Sequence, residues 1–388
     1  MNSKVLLSFL LIFSILQSPL AQYDGYSSKN WKKQIEIEKE FLGHIDLNSF
    51  KKHLKKLTER PHVVGSKENE KVQNYMANVM KNAGFEVKNY PYDLYLPNKP
   101  GSSLIEIVTP SREILNQKED IIISDPYSND PLLLKGWNAF SGSGDITSNV
   151  VYANYGRKED FEKLKELGIE IKGKIVIARY GGNFRGFKAK FAESFGASGL
   201  IIYTDPKDNG FTKGLVYPEG PYYNKSTIQR GSLLTTNFTG DPLTPFEPAL
   251  PLDGKKKIER LDPKKAQLHT IPVTPISYGE AEKILGKMKG SVVPTGWQGG
   301  LPFTYRLEGG DELTIRLKVD QKIDFVRAAN VIGTLRGNGA PDEWIILGCH
   351  FDAWGFGATD PNSGTAMLLS LSETLGKLKK KGYAPKRS

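Results

Sequence analysis

The sequence predicts an α/β domain interrupted by an inserted β-rich one. Three observations carry this. Amphipathic helix-and-strand texture occupies residues 22–93 and returns over 326–388. Between them, residues 94–325 read as short β-rich runs separated by long connections rich in Pro and Gly. The chain has 388 residues and one cysteine, Cys349, so no intrachain disulfide can form and the fold must rest on hydrophobic cores, two at this length.

In chain order, residues 1–21 read as a cleavable secretory signal: Lys4, an apolar run from Val5 to Ile15, and the small Ala21 at the cleavage point. The run is too short to cross a bilayer, which takes roughly 20 apolar residues. No later segment is long and apolar enough to do so, so stable membrane insertion is not expected. The triplets Asn224-Lys-Ser and Asn237-Phe-Thr are glycosylation acceptors consistent with a secreted product. The net charge of +10 does not point to nucleic acid, because the lysines are interspersed with Glu and Asp, as in RKEDFEKLKELGIEIKGK, and no aromatic-basic interleaving is present.

Residues 28–58 predict a helix pair with Phe41, Leu42, Ile45, Leu47, Phe50 and Leu54 as its buried stripe. A further amphipathic helix runs through Val72, Tyr75, Met76, Val79 and Met80, stops at Gly84, and is followed by a strand. Within the middle region, Ile175–Ala178 and Leu200–Tyr203 flank a helix at about 187–195, a β-α-β unit. Residues 205–300 predict loops with few strands. RAANVIGTLRG and EWIILGCH then read as strands, the apolar Trp344–Leu347 as a buried one. PNSGTAMLLSLSETLGKLKKKG closes as a helix burying Ala366, Leu369 and Leu378, with cations in its last turn complementing the helix dipole.

The chemistry concentrates in ILGCHFDAWGFGATDPNSG. His350 stands at the carboxyl end of the predicted strand, where open α/β sheets present catalytic groups. Asp352, two residues on, points to the same side if strand geometry persists, and can take one imidazole N–H so that the other nitrogen is free to donate to a metal. Asp360 follows a Gly-rich loop, and its bond to Pro361 is free to adopt the cis form. An imidazole with carboxylates suits a divalent transition metal rather than a hard cation. A histidine at a strand end is also an ordinary satisfied polar residue, and DPNSG is an adequate turn with a helix cap. Two ligands fall short of the three or four that zinc takes, so the residues alone leave both readings open.

The sequence resembles the co-catalytic zinc peptidases typified by glutamate carboxypeptidase II. The resemblance lies in RPHVVGS with its following helix, GKIVIARYGGNFRGFKAK, QRG followed by GDPLTP, NVIGTLRG and ILGCHFDAWGFGATDPNSG, in that order. It implies a zinc-peptidase α/β domain carrying an inserted protease-associated (apical) domain. It further implies that His350 binds one zinc, that Asp360 bridges two, and that Asp352 supports the histidine. Arg185 matches an arginine that binds the substrate's terminal carboxylate, and Thr244 a position that helps hold a structural calcium.

Three departures accompany the resemblance. Ser232 stands where glutamate-selective members carry an asparagine, which weakens the case for a C-terminal glutamate. Glu247 replaces a tyrosine at the second calcium position, where a backbone carbonyl could still serve. The family's general-base glutamate and remaining zinc ligands fall in a segment after the lysine-rich helix, so the chain is expected to be incomplete and inactive by itself.

The expected function is that of a secreted zinc exopeptidase releasing C-terminal residues, acidic ones among them, from small peptides, with a homodimer as the full-length form. Two alternatives stand beside it: a non-catalytic binding or decoy protein like the transferrin-receptor branch, and a zinc aminopeptidase.

Overall fold

The computed structural model describes residues 25–27 and 30–388, so the signal segment expected at 1–21 lies outside the described residues. Helices α1 (Trp31–Gly43), α2 (Leu47–Leu57) and α3 (Lys67–Asn82) come first. Asp46 and Ser66 cap α2 and α3 by accepting from Asn48 and Asn69 N–H. Helix α3 and the closing helix α8 (Asn362–Lys380) pack with α2 around Leu57, Val72, Met76, Ala366 and Leu369. This is the smaller core that the amphipathic spacing predicted.

The N-terminal stripe is corrected in part. Phe50 and Leu54 pack on that core, but Leu42, Ile45 and Leu47 are exposed. They fall at the end of α1 and the turn into α2, where the chain turns away before a periodic face can close on anything.

Strand β1 (Glu86–Leu96) leaves this layer and β9 (Asp324–Thr334) returns to it, and the two pair antiparallel along their length, from Glu86↔Thr334 to Leu96↔Asp324. The inserted region therefore enters and leaves through one ribbon. Arg327 clasps that ribbon, with Nη2 donating to Asp93 at 3.0 Å and to Asp253 at 2.9 Å. Hydrogen bonding from Arg327 holds the buried Asp93 carboxyl below its ordinary value.

The inserted region is built on a seven-stranded mixed sheet. Its strands are β2 (Ser102–Thr109), β3 (Glu113–Ile114), β4 (Gly144–Tyr152), β5 (Ile175–Arg179), β6 (Gly199–Tyr203), β7 (Val273–Ile276) and β8 (Thr314–Asp320), in the order β3-β2-β8-β4-β5-β6-β7. The β4-β5-β6-β7 half is parallel, and β5 and β6 are buried along their whole length, which is why Ile175–Ala178 and Leu200–Tyr203 read as apolar runs. The antiparallel β8 instead alternates: Ile315, Leu317 and Val319 face the core while Arg316 pairs with Asp145 at 2.7 Å. Helices α4 (Lys158–Glu166) and α5 (Arg185–Ser194) cross between parallel strands, so the β-α-β unit is present; the short α6 (Pro206–Asn209) and α7 (Tyr278–Leu285) complete the layer.

The predicted strand at Trp344–Leu347 is overturned. Those four residues form no strand, and Trp344 and Ile346 are 72% and 80% exposed. A strand exists only where a ladder partner offers its N–H and C=O groups, and among the described residues the run gains a single backbone contact, Ile345 N–H to the Ser388 carbonyl at 3.0 Å. No helix among the described residues is long and apolar enough to cross a membrane.

Candidate functional site

The loop from His350 to Asn362 is held from both sides. His62, in RPHVVGS and fully buried, exchanges two backbone hydrogen bonds of 3.2 Å with Ala353. Its Nδ1 lies 2.7 Å from the Arg60 carbonyl, which can only accept, so Nδ1 carries the proton and Nε2 accepts from Asn362 Nδ2 at 3.3 Å. Asn362 Nδ2 also donates to the Phe356 carbonyl at 3.0 Å, and Thr365 Oγ1 donates to the His350 carbonyl at 2.9 Å. The Asp360–Pro361 bond is cis.

Within this frame the three chemistry-bearing residues converge. His350 Nδ1 lies 3.1 Å from Asp352 Oδ1, and His350 Nε2 lies 3.0 Å from Asp360 Oδ1. Hydrogen bonding to Asp352 first, and then to Asp360, pushes the imidazole up to about 9, so the metal-free chain carries an imidazolium between two carboxylates. Both groups on the Nε2 side are open to solvent, with side chains 58% and 87% exposed. One nitrogen and one oxygen meet at a solvent-facing point, with the second ring nitrogen engaged by a carboxylate; these are donor types that zinc takes, and they supply two of the three or four it needs. Among the described residues no third His, Cys, Asp or Glu joins them.

Arg185 opens α5 in the inserted region. The residue is half-buried, its Nε is shielded with no acceptor, and Nη1 reaches only the Ser232 carbonyl at 3.4 Å. No carboxylate among the described residues pairs with it; its neighbours are the rings of Phe184 and Tyr180, 5.4 and 5.9 Å from Cζ. A guanidinium so placed, at the positive end of a helix dipole, has an unmet demand for an anion. Ser232 stands beside it, its hydroxyl accepting from Leu234 N–H at 3.1 Å.

The far end of α5 is anchored by Glu193, which accepts from Thr270 N–H at 2.9 Å, from the Thr270 hydroxyl, and faces His269 Nδ1 at 3.4 Å. These partners, His269 first, hold the carboxyl down at about 2, below its ordinary 4.5. Because the folded value lies below the unfolded one, the stabilisation is complete above pH 4.5 and is lost as pH falls toward 2. The stability gap between wild type and Glu193→Gln, measured by denaturant melts, is therefore expected to shrink across that window. A gap constant with pH would contradict the assignment.

The residues expected near calcium lie together around Gly240. Thr244 is buried with its hydroxyl donating to Asp241 at 2.7 Å, and the other Asp241 oxygen accepts from Tyr95 N–H at 2.6 Å. The Thr244 and Glu247 carbonyls both face Gly240, but the Glu247 side chain is exposed. Two carbonyls and a carboxylate already in use fall short of the six to eight oxygens calcium takes. Of the two glycosylation triplets, Asn237 is exposed, whereas Asn224 donates to the Tyr217 carbonyl at 3.2 Å and accepts four hydrogen bonds from Ser226 and Thr227.

Sequence reasoning missed His62 and Asn362, which brace the loop. His62 gave a signal, as the imidazole inside RPHVVGS; Asn362 is recognised by contacts between segments distant in the chain.

Comparison with known proteins bears on the fold and the family. The PA domain family matches residues 142–238 and peptidase family M28 matches residues 330–388. The chain is 37% identical over 348 residues to a glutamate carboxypeptidase 2 homolog of Caenorhabditis briggsae, covering 86% of this chain and 44% of that protein. It is 33% identical over 367 residues to aminopeptidase NAALADL1 of Rattus norvegicus, covering 89% and 48% respectively. The chain thus spans about half the length of these curated relatives. A solved peptidase M28 precursor from Shewanella amazonensis shares the fold, with TM-score 0.53 at 16% identity over 91% of this chain and 65% of that one.

Proposed function

The chain belongs to peptidase family M28, a family of zinc metallopeptidases, in its glutamate-carboxypeptidase-like group, and from that premise we propose that it supplies the metal-side loop and the carboxylate-binding arginine of an exopeptidase that releases the C-terminal residue of small peptides. The observation that carries this reading is Arg185, a half-buried guanidinium with no anionic partner among the described residues.

Zinc held by His350 and Asp360 would supply a Lewis acid that polarises a peptide carbonyl and makes water acidic enough to attack it near neutral pH. The chain's own residues prepare for that. Asp352 fixes the ring of His350 and engages Nδ1, leaving Nε2 as the donor. Asp360 brings its carboxylate to the same point from the start of α8. Arg185 offers a planar fork that meets a terminal carboxylate with two parallel hydrogen bonds, which orients the peptide by its free end. With serine at 232 rather than an amide side chain, the reading does not commit to a glutamate at that end. In the same reading the product is secreted through residues 1–21, is glycosylated at Asn237 in preference to Asn224, and is a homodimer at full length.

The test is binding of N-acetylated dipeptides, as free acids and as C-terminal amides, to the metal-free chain. A charge-assisted contact contributes about 1.5–3 kcal/mol, so amidation or Arg185→Met is expected to weaken binding about 10–150-fold. Equal binding of acid and amide would overturn the reading and favour an aminopeptidase, which has no use for the carboxylate. The name of the rat relative gives that alternative its standing. Binding of neither peptide would favour a non-catalytic member.

A further inference from the structure

Residues 137 and 138 stand between the two halves of the candidate site, and each grips one of them. Trp137 is 2% exposed and stacks on Trp354, with ring centroids 4.0 Å apart and planes at 26°. Trp354 lies two residues after Asp352, inside the loop that carries His350 and Asp360. The neighbouring Asn138 turns the other way: Nδ2 donates to the Tyr180 hydroxyl at 3.0 Å and to the Gly231 carbonyl at 3.1 Å. Both acceptors bear on Arg185. Gly231 lies so close to the guanidinium that a β-carbon there would sit 2.1 Å from Arg185 Cζ, and the Tyr180 ring is 5.9 Å from the same carbon.

The dipeptide is itself fixed. Trp137, Ala139 and Phe140 form a small core of their own with Leu134 and Leu234, and the Asn138 carbonyl accepts from Gln321 Nε2 at 3.1 Å. Consecutive α-carbons are about 3.8 Å apart whatever the surroundings. Two grips on adjacent residues therefore cannot drift independently.

We infer that the Trp137–Asn138 dipeptide is the positioning joint of the site, with Trp137 setting the metal-side loop through Trp354 and Asn138 setting Arg185 through Tyr180 and Gly231. The joint fixes the distance that the C-terminal residue of a peptide must span between Arg185 and the His350–Asp360 pair. It rests on the reading of those groups as two ends of one site.

Amide hydrogen exchange on the metal-free full chain tests it, followed by mass spectrometry over peptides covering residues 349–362 and 180–190. Trp137→Ala is expected to speed exchange in the first segment, which includes the Ala353 amide bonded to His62, by about tenfold or more while leaving the second within about twofold. Asn138→Ala is expected to do the reverse, and Trp137→Phe to restore most of the protection. Should Trp137→Ala fail to fold, Trp354→Ala removes the same stack from its less buried side and is expected to give the same pattern. Equal acceleration of both segments by either variant would show general loosening and overturn the joint, as would no acceleration.

The two readings fail separately. A wild-type chain that binds neither cobalt(II) nor the peptide acid sinks the exopeptidase reading whatever the exchange pattern. Intact binding with the wrong exchange pattern sinks the joint alone.

Discussion

Asp352→Ala is expected to lower the affinity of the chain for cobalt(II), read from the metal's visible absorption, by about 10–100-fold, and His350→Ala to lower it further. The difference follows from what each residue touches. Asp352 meets only Nδ1, at 3.1 Å, so its loss frees the ring to rotate and change tautomer but leaves both candidate ligands in place. His350 supplies the nitrogen donor itself, and without it Asp360 is a single exposed carboxylate that no other described residue helps. Asp360→Asn should fall with His350→Ala, because an amide oxygen carries no charge to offset the ion's. Variants that bind cobalt as tightly as wild type would mean that the convergence of these three side chains is an ordinary surface ion pair.

The second large effect concerns where the core is. Phe161→Ala is expected to destabilise the inserted region by about 3–5 kcal/mol. For a unit of this size that is a fall of about 6–20 °C in the melting temperature. Phe161 is fully buried on α4 and stacks on Phe195 with centroids 5.3 Å apart, so its removal leaves a cavity under the parallel half of the sheet. Leu347→Ala, by contrast, is expected to stay within about 0.5 kcal/mol of wild type. Hydropathy alone ranks the two the other way, because Leu347 sits in a run of four large apolar residues and Phe161 in a charged segment, RKEDFEKLKE. Calorimetry of both variants decides; a large loss at Leu347 would mean that the run is covered in solution.

Those two residues mark the limit of what sequence carried. Local periodicity was enough for α2, α3 and α8 and for the strand–helix–strand at 175–203, because each signal is complete within its own segment. It was enough, too, for the pairing of His350 with Asp352, two residues apart, which survives although the strand expected before it does not form. The stripe over Leu42–Leu47 and the run at 344–347 failed for one physical reason. An apolar face is buried only if another element arrives to cover it, and a strand forms only beside a partner, and neither condition is written in the segment itself.

By itself the sequence nominated the residues expected to carry the chemistry, His350, Asp352, Asp360 and Arg185, with the motifs around them pointing to a peptidase. Only the tertiary structure decided that His62 and Asn362 brace the loop, that Trp137 stacks on it through Trp354, and that Asn138 bonds to Tyr180 and Gly231 beside Arg185. It also decided that Arg185 has no anionic partner among the described residues. The physical reason is the same throughout: donors, acceptors and ring faces belong to residues, but their satisfaction belongs to contacts between segments that the chain keeps far apart until it folds.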